Sequence, residues 1–105
     1  MYMIIKIRDF TITPGGRYKK HGKYSGEEYR ESILIPAYNK AKDNNEGLCV
    51  DLDGTYGYPR SFLEEAFGGL ARAYPSDDLL NYLDFISYED PEEINRIKKY
   101  IQSLR

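Results

Sequence analysis

The chain has no tryptophan, one cysteine and one histidine. The lone Cys49 cannot close an internal disulfide, and with His21 as the only histidine a four-ligand zinc site of cysteine and histidine has no ligand set. A reducing compartment fits such a chain. Long apolar runs are missing as well: no stretch approaches the roughly 18 residues of a membrane span. The opening MYMIIKIRDF has a short apolar run, with no basic region before it and no small-residue cleavage site after it. It is expected to be a strand rather than a signal peptide, and the expected location is the cytoplasm. The 105 residues suffice for one domain, 1–105, and not for two. A domain of this size buries roughly 65% of its unfolded surface and needs neither disulfide nor metal to fold.

What is present is charge in an uneven layout and an excess of tyrosine. Residues 1–24 hold six basic residues against one acidic, net +5, and the remainder holds nine against sixteen, net −7. A mildly acidic domain with one basic loop does not fit a general nucleic-acid binder. Arg17, Tyr18, Lys19, Lys20, His21 and Lys23 crowd that loop. Of these, Arg17, Lys19 and Lys20 are the candidates for contact with a phosphate, on a nucleotide or a nucleic acid; a solvated basic loop is the plainer reading. The eleven tyrosines offer apolar area with a polar tip, which suits an interface as well as a half-buried position.

Apolar periodicity orders the chain. YMIIKI at 2–7 reads as a strand, followed by a Gly- and Lys-rich loop with room for a short edge strand near 17–19. Ser25 and Glu28 form a capping box that opens a helix, with Ile33, Leu34, Ala37, Tyr38 and Ala41 on its apolar face. Pro36 falls inside it and predicts a kink or a junction of two helices. LCVDL at 48–52 reads as a buried strand. Ser61 and Glu64 predict a second capped helix through Leu63, Ala66, Phe67, Leu70 and Tyr74, stopped by Pro75. Gly68 and Gly69 inside that helix point to close backbone packing. YLDFISY at 82–88 reads as the third main strand, and Asp90, Pro91 and Glu93 open a last helix with Ile94, Ile97, Ile101 and Leu104 as its buried stripe. The order β(β)αβαβα predicts an α/β domain, its sheet mixed and mostly parallel, packed with three to four helices.

One motif suggests an enzyme. Residues 50–55, VDLDGT, match the nucleophile motif of haloacid-dehalogenase-like phosphatases, in which Asp51 would attack phosphorus and Asp53 would act as general acid or base beside Mg²⁺. Ser76-Asp77-Asp78 could imitate the later acidic pair. Yet about 46 residues precede the motif, only about 50 follow it, and no apolar strand delivers Asp77 and Asp78. A turn at Asp53-Gly54 accounts for the same residues. No other catalytic constellation is present: a Ser/His/Asp triad would have to use His21 in its Lys-rich loop. The chain is therefore read as a non-enzyme without cofactor or metal.

The run D51-L52-x-G54, a short loop, then SFLEEAFGGL at 61–70, together with S25-G26-E27 opening a proline-containing helix, resembles the STAS-like domain family of unknown function. The likeness spans about residues 14–74. STAS domains are named for sulphate transporters and anti-sigma-factor antagonists, and their order β, β, α, β, α, β, α agrees with the order that apolar periodicity gives this chain. The resemblance implies a bacterial-type signalling module whose partner is a histidine-kinase-like ATPase, which in better-known relatives phosphorylates a serine at the start of the helix after the D-L-x-G strand end. On that alignment Arg60 and Ser61 stand at the paired serines, Pro59 at an acidic position and Phe62 at a glycine, so Ser61 is the phosphorylation candidate. The implied docking surface is the loop 54–60 with the helix start: Tyr56, Tyr58, Arg60, Ser61, Phe62 and Glu65. Phosphate on Ser61 would sit well at a helix N-terminus beside Arg60; as a plain cap, Ser61 would contribute about 1 kcal/mol.

Overall fold

The computed structural model of the protein describes residues 2–102. Strand β1 (Tyr2–Lys6) runs into a single helical turn, α1 (Ile7–Phe10). A loop with one 3₁₀ turn at Lys19–His21 leads to the first long helix: α2 (Gly26–Tyr29), a π-helical stretch (Arg30–Leu34) and α3 (Ile35–Asp43). Strand β2 (Gly47–Asp51) precedes a second long helix built the same way, α4 (Arg60–Leu63), a π-helical stretch (Glu64–Gly68) and α5 (Gly69–Ala73). Then come α6 (Ser76–Tyr82), β3 (Leu83–Ile86) and α7 (Glu92–Gln102). The strands form one parallel sheet in the order β1-β2-β3, with Ile4 beside Cys49 and Val50 beside Phe85.

The expected α/β architecture is present, with differences that have physical causes. No fourth strand occurs among the described residues: the segment foreseen as an edge strand near 17–19 is held by its backbone to a helix instead. Gly26 and Glu27 donate their N–H groups to the carbonyls of Gly16 and Arg17, at 2.9 and 3.0 Å. The first capping box forms on its serine side, Ser25 Oγ accepting from the Glu28 N–H at 3.0 Å, while the Glu28 carboxylate reaches the N–H of Tyr24. The second does not form. The helix begins at Arg60, two residues before the start a Ser61 cap would give, and the Pro59 carbonyl accepts from Phe62 and Leu63 in place of a side chain. At the third helix Asp90 also uses its carbonyl, accepting from Glu93 N–H and Ser87 Oγ, and its carboxylate turns to Arg96 at 2.7 Å. The wide π turn directly before Pro36 gives the proline a register in which its missing N–H does not break a regular ladder, so the helix continues to Asp43.

One face of the sheet carries the core. Leu48, Val50, Leu83 and Phe85 are buried there against the helices, with Met3 and Ile5 packed at the margin. On α7, Ile97 and Ile101 are buried and Ile94 is partly so, as the stripe predicts; Leu104 lies outside the described residues. On the opposite face Tyr2 and Ile4 are each 56% exposed. The second long helix lies between α2 on one side and α7 on the other, and is buried through Phe62, Leu63, Ala66, Phe67, Gly69 and Leu70.

Tyr29 is fully buried between Phe10 and Phe62, at ring distances of 5.1 and 6.0 Å, and its hydroxyl has no hydrogen-bond partner among the described residues. An unpaired buried hydroxyl costs about 1–3 kcal/mol. Tyr29→Phe is therefore expected to raise stability in urea unfolding by about 1 kcal/mol. Burial also pushes the Tyr29 phenol well above its ordinary range. With the folded value raised, this contribution is intact below the unfolded tyrosine value near pH 10 and is lost above it, as the unfolded chain ionises first. The variant should lose stability less steeply above pH 10 than the parent; equal slopes would show that Tyr29 does not titrate with unfolding.

Candidate functional site

The C-terminal ends of the parallel strands point to one edge of the molecule, and the three connections that follow them meet there. Asp51 closes β2 and is 8% exposed. Its Oδ1 accepts the Asp53 N–H at 3.0 Å, and its Oδ2 pairs with Arg8 Nη1 at 3.1 Å. The same Arg8 nitrogen donates to the Asp53 carbonyl at 3.0 Å. Arg8 lies along Gly54, whose φ of +88° favours glycine and where a Cβ would collide with the Arg8 side chain. The Asp53 carboxylate accepts the N–H groups of Tyr88 and Glu89 at 3.1 and 3.0 Å, and Glu89 Oε1 in turn accepts the Gly54 N–H at 2.9 Å. The D-L-D-G run thus ties the connection after β2 to those after β1 and β3.

That geometry bears on the phosphatase-like reading of VDLDGT. Both carboxylates are occupied by an arginine or by backbone N–H groups. Asp77 and Asp78 lie in the first turn of α6, where Asp78 approaches Lys42 at 3.5 Å, by the start of β2 rather than its end. Among the described residues no group of three or more His, Cys, Asp and Glu is placed to hold a metal ion.

The loop 54–60 divides its two tyrosines. Tyr56 points into solvent, 85% exposed, while its N–H holds the Ile12 carbonyl at 2.9 Å. Tyr58 folds back: its hydroxyl donates to the Leu52 carbonyl at 2.6 Å, its ring packs 5.9 Å from Phe62, and burial pushes its pKa up to about 12. Beside Tyr56 stand Ile12, 50% exposed, and Glu89 of the connection after β3; Tyr88, the residue before it, is 86% exposed. Ile12 and Tyr88 are not among the residues that sequence reasoning selects. The signal was available, since each follows a strand end, but periodicity alone does not bring three loops together.

Arg60 is exposed and Ser61 half-buried. Phe62 and Glu65 need correction as contact residues. Phe62 is fully buried and Glu65 is 4% exposed, because the second long helix is covered on both sides. Glu65 pairs with three arginines instead, accepting from Arg30 at 2.6 Å and Arg72 at 3.3 Å, with Arg17 at 3.5 Å. The basic loop is likewise folded onto carboxylates. Arg17 binds Glu64 at 2.6 Å, which raises its pKa, and Lys19 binds Glu31 at 2.6 Å, while Lys20 lies 5.7 Å from the Tyr18 ring. Two of the three cations considered for phosphate are therefore already paired, and the +5 segment offsets its acidic neighbours within the fold.

The model of a family described as a STAS-like domain of unknown function matches residues 25–93, well over half of the chain. No curated protein and no solved structure shows a significant match. Among the described residues no helix is long and apolar enough to cross a membrane.

Proposed function

The chain belongs to the STAS-like domain family, and from that premise we propose that it is a regulatory protein-interaction module that docks a signalling partner through the loops at the C-terminal edge of its sheet. The histidine-kinase-like ATPase implied by the resemblance is the partner class proposed. What supports the reading is the exposure of Ile12 and Tyr56, which line one shallow cavity with Glu89, and of Tyr88, the residue before Glu89; all three are large side chains half or more exposed in the connections that follow the strands. Tyrosines at an exposed apolar patch are effective anchors for a partner surface. The scaffold beneath them is fixed by Asp51 and Asp53, so the patch is held in one arrangement before a partner arrives. Ser61, next to this edge, remains the proposed position for phosphorylation, and no reaction is assigned to the chain itself.

The test is photo-crosslinking from the native host. A benzophenone amino acid placed at Tyr56 or Tyr88 is expected to trap a histidine-kinase-like ATPase, whereas the same group at the exposed Lys40 on α3 should not. Equal yields at all three positions, or none at Tyr56 and Tyr88, would sink the docking surface. A trapped protein of another class would keep the surface and remove the ATPase.

A further inference from the structure

Between the loop 54–60 and α7 lies an open cavity of about 420 Å³, walled by Tyr58, Leu63 and Tyr100 and rimmed by Arg60, Lys99 and the paired Glu93 and Arg96. The ion pairs elsewhere in the molecule make this rim distinctive. Arg8, Arg17, Arg30, Arg72 and Arg96 all pair with carboxylates. Arg96 is held by Glu93 and Asp90, each at 2.7 Å. Among the described residues Arg60 is the one arginine outside a salt bridge, and Lys99, which lines the same groove, has no carboxylate partner there either. A chain of net charge −2 thus places two cations that lie outside salt bridges among the described residues on one groove with apolar walls, beside the Glu93–Arg96 pair.

We propose that this groove receives an acidic segment of the partner protein, with carboxylates on Arg60 and Lys99 and an apolar side chain between Tyr58, Leu63 and Tyr100. The inference rests on the docking reading above and names the chemistry of the partner. The groove is continuous with the loop edge, since Tyr58 lines it and the adjoining cavity beside Tyr56. Carboxylates suit it better than a nucleotide phosphate. The Phe62 and Leu63 N–H groups donate to the Pro59 carbonyl, and neither glycine of the 54–57 turn lines the groove, which leaves less backbone to wrap a phosphate. Two long, mobile cations along an open trough match charges spaced along a polypeptide, and steer its approach.

The probe is a synthetic peptide in which glutamates alternate with leucine and phenylalanine, titrated into the ¹⁵N-labelled 105-residue chain. The controls are the same peptide with glutamine for glutamate, ATP, and inorganic phosphate. Amide shifts are expected at 58–63 and 93–100 with the glutamate peptide. Affinity should weaken roughly tenfold between about 50 and 250 mM salt. Arg60→Glu and Lys99→Glu should each weaken it at least about fivefold, with Lys40→Glu unchanged; the amide spectra report whether each variant is folded. Equal binding by the glutamine peptide, undiminished binding by the two variants, or shifts from ATP or phosphate without shifts from the peptide would overturn the assignment. Crosslinks from Tyr56 that survive Arg60→Glu at full yield would also remove the groove while leaving the docking surface in place. A peptide that binds as expected while Tyr56 and Tyr88 trap nothing would do the reverse.

Discussion

Glu65→Ala is expected to destabilise the domain by about 3–5 kcal/mol, the cost of removing one partner from a buried charge network. Glu65 is 4% exposed, and its carboxylate meets Arg30 at 2.6 Å and Arg72 at 3.3 Å, with Arg17 at 3.5 Å. Arg17 keeps Glu64, and Arg72 is half in solvent. Arg30 is the point of weakness: its side chain is 15% accessible, and beyond the carboxylate it donates to the Glu65 carbonyl at 2.6 Å. With alanine at 65 a guanidinium stays buried beside a neutral carbonyl. Against a total stability of about 5–15 kcal/mol for such a domain, the loss is a large fraction. Urea unfolding measures it directly. Glu65→Gln keeps the shape and a hydrogen-bond acceptor and should fall between the two. Hydrogen exchange gives a second readout, because Arg17 belongs to the loop whose carbonyls hold Gly26 and Glu27 N–H; those two amides should lose protection first. A loss below about 1 kcal/mol for Glu65→Ala would mean that solvent reaches the cluster and screens it.

The same cluster explains what could be read from the sequence and what could not. The three strands and the three principal helices follow from apolar period and turn residues, and each lies within a few residues of its expected place. The π-helical stretches at Arg30–Leu34 and Glu64–Gly68 have no such local signal. They lie where the two long helices touch, and each contributes one partner of the Arg30–Glu65 pair, so they belong to the packing rather than to either sequence alone. Helix α6 was hidden for a different reason. Pro75 reads as a stop, yet its carbonyl caps the next helix, accepting the Leu79 N–H at 3.1 Å, and only Leu79 of that short helix is buried.

The site was legible in part. The D-L-D-G turn, the exposed Tyr56, and Arg60, which lies outside any salt bridge among the described residues, fall in the segment after β2 where the resemblance implies a docking loop. Phe62 and Glu65 do not face outward, and a clue to the first was present in the sequence. For Phe62 the clue is its place with Leu63, Ala66, Phe67 and Leu70 on one apolar face at helical spacing, the pattern of a core position. Glu65 falls on the polar side with Ser61 and Arg72, and its burial comes from the packing of α2 against that side, which has no local signal. The basic loop shows the converse: its charge looked like an unfilled anion site until the carboxylates of the first two long helices were placed beside Arg17 and Lys19.

The helix contact itself depends on a residue with no side chain. A Cβ built on Gly26 would run into the backbone carbonyl oxygen of Phe62 and lie 3.1 Å from Glu65 Cβ. The oxygen belongs to the main chain of a buried helix and cannot swing aside as a side-chain tip would. Gly26→Ala is therefore expected to destabilise by about 1–3 kcal/mol, even though alanine is the better helix former by about 1 kcal/mol. Two positions separate the steric cause from a general glycine effect. Gly16→Ala, where nothing lies within 4 Å of the new methyl, should be close to neutral. Gly69→Ala meets the Arg30 side chain rather than backbone, so it should cost less in packing but displace the guanidinium from Glu65. Its loss should then shrink when Glu65 is already alanine, whereas that of Gly26→Ala should not, a difference that a double-mutant cycle resolves. A Gly26→Ala variant more stable than the parent would show that the two helices separate at no cost, and would remove this crossing as the element that sets their spacing.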